Sequence, residues 1–346
     1  MHFTKAFKER EDLITDLAEA GLKIPNHSRA LGFLTRVGYH RSGAYRYVFR
    51  ELLPADQINA ARREYRAATY MAGASIDHVI TLEEFDMKLA RICLDGTLDF
   101  EIRLRASIAH ALARLDPAAH LDRNCLDTAK CNTLIPRSQP PQTKFQAWKR
   151  TVDRAIGSAK PEEDFVAHHL AKYPSQPLPV WAVTELLSFG SLPYLFELMK
   201  SADARAVAND FGFMHPVPFG KVVRAVADLR NYCAHGSRLF NRHFKRAQSI
   251  APRHTVGPLL DHVSTPGYSR TSTESKRLYI NAAVLAFMLR SHSEPSDWPA
   301  RFRDHILSFS LPLITPDGHR VVTPELDTPC GTGKPGNPMP SSKTLP

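Results

Sequence analysis

Apolar residues recur every three to four positions along most of this chain, while runs of Val and Ile alternating with polar residues are missing. That combination argues against a substantial sheet and predicts an all-α fold built from amphipathic helices. The sharpest instance is KVVRAVADLRNYCAHGSRLFNRHFKR, residues 221–246. Wound at about 100° per residue, it puts Val222, Val226, Leu229, Cys233 and Phe240 on one side. Arg224, Asn231, His235, Arg238 and Arg242 fall within roughly 60° of one another on the other side. One face can bury while the other offers a histidine among arginines, a set suited to a phosphodiester. Arg230 sits about 100° round from Asn231, so it reaches this stripe only through its long side chain. Gly236 opens an alternative, in which the helix stops just after His235 and the arginines beyond it sit on a turn.

Elsewhere the same spacing sets out the helices in order. Residues 5–20 read as an amphipathic helix closed by Gly21, and residues 28–37 as a second. Arg36, Tyr39, Arg41, Tyr45, Arg46 and Tyr47 then interleave arginine with aromatics. Such a segment suits stacking and phosphate contact with single-stranded RNA, through Arg41 and Arg46. It equally suits tyrosines that pack a small N-terminal lobe while the arginines stay solvated. Thr81 and Glu84 read as a capping box that opens a helix ending at Asp95-Gly96. Residues 98–115 read as its antiparallel neighbour, burying Ile102, Ile108, Ala109 and Leu112. Residues 116–143, rich in Asp, Asn, Pro, Gln and Thr, predict a long surface connection.

Further helices are expected over 144–156, 161–172, 178–189, 203–211, 275–289 and 298–311, with a proline-punctuated connection over 248–273. From Pro324 to Pro346, six prolines and three glycines without apolar spacing describe a disordered tail. The expected organisation is an N-terminal helical and aromatic lobe over 1–74, a helical domain over 75–311 and a Pro/Gly-rich tail over 312–346.

A formal charge of +10 over 346 residues favours polyanionic partners, although charge alone does not separate nucleic acid from a membrane surface. The first residues, MHFTKAFKEREDL, are charged throughout, and the longest apolar run, Tyr279 to Leu289, is interrupted by Asn281. A cytoplasmic protein with no membrane partner is expected. The five cysteines, Cys93, Cys125, Cys131, Cys233 and Cys330, are an odd and scattered set, expected as free thiols. His120, Cys125 and Cys131 lie close in sequence but lack a C-x-x-C pair or a fourth ligand at zinc spacing, so neither a metal nor a cofactor is expected.

Arg230 and His235 form an Arg-x4-His pair, a spacing that recurs at Arg105–His110 and Arg238–His243 and therefore selects nothing by itself. Arg105 and His110 sit on a helix with a clear apolar stripe and read as structural. What sets the first pair apart is the Asn directly after its arginine and the small Cys-Ala before its histidine. LRNYCAHGSRLFNR resembles the signature of bacterial abortive-infection proteins (Abi-like, AbiD/AbiF-type), whose Arg-Asn-x-x-x-His core marks a HEPN ribonuclease domain. AGLKIPNHSRALGFLTRVGYHRSGAYRYVF, residues 20–49, is similar to the family's N-terminal block. LPVWAVTELLSFGSLPYLFELM, residues 178–199, is similar to the block ahead of the catalytic helix. The chain departs from the pattern at Gly236, where a second histidine is common, and at His40, where a tyrosine is usual.

That resemblance implies a HEPN-like helical bundle and a metal-independent endoribonuclease of a phage-defence or toxin-type system. Cleavage by the ribose 2′-hydroxyl would leave 2′,3′-cyclic phosphate and 5′-hydroxyl ends. Such chemistry needs a base for the 2′-hydroxyl, an acid for the departing 5′-oxygen and a cation for the phosphate. Histidine as a residue type fills either proton role, and arginine's planar fork grips two phosphate oxygens. His235 is then the acid/base, Arg230 the phosphate clamp and Asn231 the orienter, with Arg224, Arg238, Arg242, Arg41 and Arg46 as RNA contacts. One histidine for two proton transfers, together with the family precedent, implies a homodimer with a composite site. Two other classes fit the same residues: an RNA-binding protein without turnover that grips a structured noncoding RNA, and a protein-interaction module of a defence or toxin–antitoxin locus.

Overall fold

The chain begins with two short helices, α1 (Arg10–Glu19) burying Ile14 and Leu17, and α2 (His27–Val37) burying Ala30, Phe33 and Leu34. Asn26 starts α2 because its side chain accepts from the Arg29 N–H, one of the donors a first turn leaves free. Next come α3 (Tyr39–Arg46) and an antiparallel pair of strands, β1 (Arg50–Leu52) and β2 (Arg66–Tyr70), with Arg50 opposite Tyr70. Tyr45, Val48, Phe49 and Tyr70 turn inward to form one apolar core with Ile14, Leu17, Leu22 and Phe33. In this computed structural model the described residues are 6–61, 64–245, 258–263, 276–290 and 296–309.

A single helix of 38 residues, α4 (Ile76–Ala113), runs through the whole molecule, about 57 Å long at the standard rise. Its N-cap is Ser75, whose side chain accepts from the Asp77 N–H; Thr81 lies inside the helix and donates its hydroxyl to Asp77 O at 2.9 Å. The expected break at Asp95-Gly96, and the antiparallel pair it would create, is therefore corrected. Gly96 serves a neighbour instead of a turn. A Cβ there would lie 2.5 Å from the indole nitrogen of Trp298, which donates to Ile92 O at 2.6 Å. Arg301 then pairs with Asp95 at 2.8 Å. Unbroken winding also resets the buried stripe to Phe100, Leu104, Ile108 and Leu112, leaving Ile102 on the far side at 62% exposure instead of in the core.

The segment after α4 is more than a surface connection. It contains α5 (Thr128–Asn132), buries Ala119, His120, Leu126 and Cys131, and is tied down by bridges from Leu126 to Met199 and from Leu134 to Thr143. A capping box between Thr143 and Gln146 opens α6 (Lys144–Ala159). Then follow α7 (Asp164–Lys172), α8 (Val180–Leu186), α9 (Leu192–Leu198), α10 (Ser201–Asp210) and α11 (Pro216–Ala234). The last helices among the described residues are α12 (Leu278–Arg290) and α13 (Trp298–Leu307). Helices α8, α10, α11, α12 and α13 all pack on α4, which is thus the axis of an all-α bundle. At its centre Phe100 meets Phe211 edge-on at 5.1 Å, and Phe211 stacks on Phe219 at 5.2 Å.

The N-terminal core is continuous with this bundle: it takes in Ile76, Val79, Ile80 and Leu82 of α4, together with Phe240 and Phe309. Of the expected 248–273 connection, Pro258–Val263 forms a 3₁₀ turn and the remainder lies outside the described residues, as do Arg246, Cys330 and the expected tail over 312–346. Among the described residues no helix is long and apolar enough to cross a membrane.

Candidate active site

Helix α11 starts with proline in its first turn, where a missing N–H costs nothing, and buries Phe219, Val222, Val223, Val226, Leu229 and Cys233. The facing stripe is Arg224, Asp228, Asn231 and His235, at steps of four, three and four residues. His235 is the C-cap, with its N–H on Asn231 O at 3.0 Å, and Gly236 follows at φ +59°. The Gly236 N–H donates to Cys233 O at 3.0 Å and the Ser237 N–H to Tyr232 O at 2.8 Å. This paired closure needs a residue in the left-handed region, which glycine supplies without strain. Of the two alternatives at Gly236, the shorter helix is the observed one. Arg238 and Arg242 therefore leave the stripe that continuous winding would give them. His235 itself is exposed at the end of the helix.

Arg230 is held from below by α4. Its Nε lies 3.3 Å from Oε2 of Glu101, a carboxylate only 1% exposed, as an ionic contact without hydrogen-bond alignment. Glu101 also takes Nη2 of Arg105 at 2.5 Å, and Arg105 donates further to Thr184 O and Leu187 O. The Arg105–His110 pair is thus structural at its arginine, which joins α4 to α8. Two guanidiniums on one carboxylate leave about one unit of positive charge, and Arg230 carries it outward with 27% of its side chain exposed. Nη1 of Arg230 donates to Oδ1 of Asn231 at 3.3 Å, so Asn231 links the guanidinium to the stripe that ends in His235.

Two turns earlier, Arg224 pairs with Glu197 of α9, which also takes the ammonium of Lys144 at the start of α6. Burial pushes the Glu197 carboxyl up, but Lys144 and Arg224 outweigh it and hold the group below its usual range. A cleft of about 390 Å³ opens here, lined by Lys144, Tyr194, Glu197, Arg224, Asp228 and Asn231 among others.

Beyond Gly236 the chain is anchored by Asp86 of α4, which is 1% exposed. Its carboxylate accepts from Leu239 N at 3.0 Å, Phe240 N at 2.6 Å and the Tyr45 hydroxyl at 2.8 Å. Burial pushes the Asp86 carboxyl up, and these hydrogen bonds counter it in part. Arg238 is half-buried, donates to Ala44 O at 3.3 Å, and is pulled below its usual pKa by burial despite the nearby Asp86. Arg242 donates to Arg238 O and lies 4.3 Å over the Tyr232 ring. Both arginines brace the turn after the motif.

The N-terminal arginines divide. Arg46, at 3% exposure, donates to Ser42, Tyr39 O and the Tyr70 hydroxyl and sits 4.1 Å over the Tyr39 ring. Its guanidinium belongs to the lobe's interior, which corrects the expectation that it reaches RNA. The solvated-arginine alternative fails at this position as well. Arg41 is half-buried with Nη2 at 3.2 Å from Met87 Sδ. So the structure sets Arg224, Arg230, Asn231 and His235 along α11 and its C-cap, with Arg230 in contact with Asn231 and Arg224 two turns earlier, and puts Arg238 and Arg242 on the next turn and Arg41 and Arg46 on the lobe.

Sequence reading missed Lys144, Glu197, Asp228, Glu101 and Asp86. Asp228 was legible as the residue four after Arg224, and Glu101 as an i,i+4 partner of Arg105. Glu197, Lys144 and Asp86 come from distant elements and leave no local signal. Among the described residues no group of three His, Cys, Asp or Glu side chains is placed to hold a metal ion. His120 is fully buried, its imidazole pulled down to about 4 by burial. Cys93, Cys125, Cys131 and Cys233 are free thiols.

A family model described as Abi-like protein matches residues 32–241, from α2 through the turn after α11. No curated protein and no solved structure matches the chain.

Proposed function

The chain belongs to the Abi-like family of abortive-infection proteins, and from that premise we propose that it is a metal-independent endoribonuclease acting in phage defence. The observation that carries the reading is the end of α11, where the Arg230 guanidinium contacts the Asn231 amide and an exposed His235 stands one turn further on. An imidazole takes the proton from a ribose 2′-hydroxyl as that oxygen attacks the adjacent phosphorus. The bond to the 5′-oxygen breaks as a second imidazole donates a proton to it, which leaves a 2′,3′-cyclic phosphate and a 5′-hydroxyl. Arg230 faces the charge that gathers on the phosphate oxygens, and its surplus over Glu101 supports that role. Asn231 holds Arg230 in register with His235. Because one chain offers a single histidine of this kind on α11, the second comes from another copy in a homodimer.

The test is cleavage of total bacterial RNA by purified protein in excess EDTA, with the cut ends mapped. Cyclic phosphate and 5′-hydroxyl ends are expected, unaffected by the chelator. His235→Ala should lower the rate by about 10²- to 10⁴-fold while RNA binding persists, since one imidazole adds little to an interface carried by arginines. His110→Ala, which has the same Arg-x4-His spacing on the exposed side of α4, should cut at the wild-type rate. A folded His235→Ala protein that cuts as fast as wild type overturns the assignment. Salt-sensitive RNA binding with no cut ends would instead support the RNA-binding alternative.

A further inference from the structure

The cleft beside Arg224 has a composition that phosphate chemistry alone does not explain. Its volume of about 390 Å³ falls in the range of sites that enclose a small organic group, about 300–1,000 Å³. Two cations, Lys144 and Arg224, face two carboxylates, Glu197 and Asp228, so its lining is close to neutral. A second phosphate would need the surplus positive charge that Arg230 has and this cleft lacks. What the cleft offers is one aromatic ring and a mixture of donors and acceptors. Tyr194 lines it with 57% of the residue exposed, although α9 buries Leu195, Phe196 and Leu198. Glu197 fixes both Lys144 and Arg224, so α6, α9 and α11 are braced around the opening.

We propose that this cleft is a nucleoside subsite, in which the base next to the cut phosphodiester stacks on Tyr194 while its polar edge and ribose meet Asp228 and Asn231. This rests on the ribonuclease reading and extends it from the phosphate to the nucleotide beside it. Asn231 is the joint: it lines the cleft, contacts Arg230 at 3.3 Å and stands one helical turn before His235. A stacked ring tolerates every base, whereas the side chains at the base edge set any preference among them.

Gly190 supplies a way to fill the cleft without removing a polar group. It lines the opening, and a Cβ there would meet only Ser188 Oγ, at 4.0 Å. The experiment uses the full chain carrying His235→Ala, so that RNA is bound and not cut, and a fluorescein-labelled single-stranded RNA of twelve nucleotides read by anisotropy. Tyr194→Ala should weaken binding by about tenfold, in keeping with the loss of one stacked base. Tyr194→Phe should bind like the parent, and Gly190→Leu should match Tyr194→Ala. The slope of affinity against salt should stay the same in all four proteins, because no phosphate contact is lost. If Tyr194→Ala and Gly190→Leu both bind like the parent while the unmodified chain still cuts RNA, the subsite is wrong and the ribonuclease reading stands. If the unmodified chain neither binds nor cuts RNA, both fall together. Should Tyr194→Ala fail to fold, Gly190→Leu decides.

Discussion

At the scale of single residues, two buried ionisable groups have consequences that can be measured. Asp86 holds the turn after His235 by accepting two backbone N–H groups and the Tyr45 hydroxyl, all in the interior. Asp86→Ala leaves those three donors without partners, and at about 1–3 kcal/mol for each unsatisfied buried group the chain should lose at least about 3 kcal/mol in urea unfolding. Tyr45→Phe removes one hydrogen bond together with its donor and should cost only about 1 kcal/mol. His120 is folded away neutral with its pKa pulled down to about 4, against about 6.5 in an unfolded chain. Between those values the unfolded chain binds the extra proton, so stability is full above the unfolded value and falls as pH drops toward the folded one. Unfolding free energies should fall by about 3 kcal/mol from this group between neutral pH and pH 4. His120→Phe should remove that component of the acid sensitivity; an unchanged pH dependence would count against it.

At the scale of elements, the molecule depends on α4 staying unbroken. Gly96 lets Trp298 of α13 lie against the helix backbone, because a Cβ there would sit 2.5 Å from the indole nitrogen. Gly96→Ala gains about 1 kcal/mol of helix propensity but forces an overpacked contact worth about 1–3 kcal/mol. The ring is fully buried and hydrogen-bonded to Ile92, so it has little room to give way. A lower melting temperature is expected. Gly157 of α6 is the control, since nothing lies within 4 Å of a Cβ there. Gly157→Ala should raise stability by up to about 1 kcal/mol. Equal responses at the two glycines would mean that Trp298 does not press on α4.

For the whole molecule, the proposed chemistry requires two copies of α11. A cut needs one proton removed and one delivered, and each chain brings one His235. The protein is expected to sediment as a dimer. Wild-type chains mixed and allowed to exchange with an excess of His235→Ala chains should lose activity in step with heterodimer formation, because a heterodimer keeps only one of the two imidazoles that the cut needs. A fully active monomer would rule this out. The charge of +10 should make RNA affinity fall steeply with salt, and the steepness counts the phosphates gripped.

What the sequence determined by itself was whatever is written in neighbouring residues. Helical spacing is a local property, so the all-α class and the buried and exposed sides of α11 were legible from runs of a dozen residues, whereas at Gly236 the sequence left a longer and a shorter helix open and the fold chose the shorter. The Arg-Asn-x-x-x-His core and the blocks ahead of it carried the family, because a motif keeps its residues close along the chain. Tertiary structure decided everything that depends on which helix lies against which. Asp95-Gly96 looks like a stop signal until Trp298, some two hundred residues later, occupies the space its missing side chain leaves. Arg46 looks like an RNA contact until Tyr39, Ser42 and Tyr70 close around it. Arg230 gains its buried carboxylate from α4, and the turn after His235 gains its anchor from Asp86 on the same helix. A residue's periodicity is set by its own backbone, whereas its partner is set by packing between distant segments, and only the folded chain brings those together.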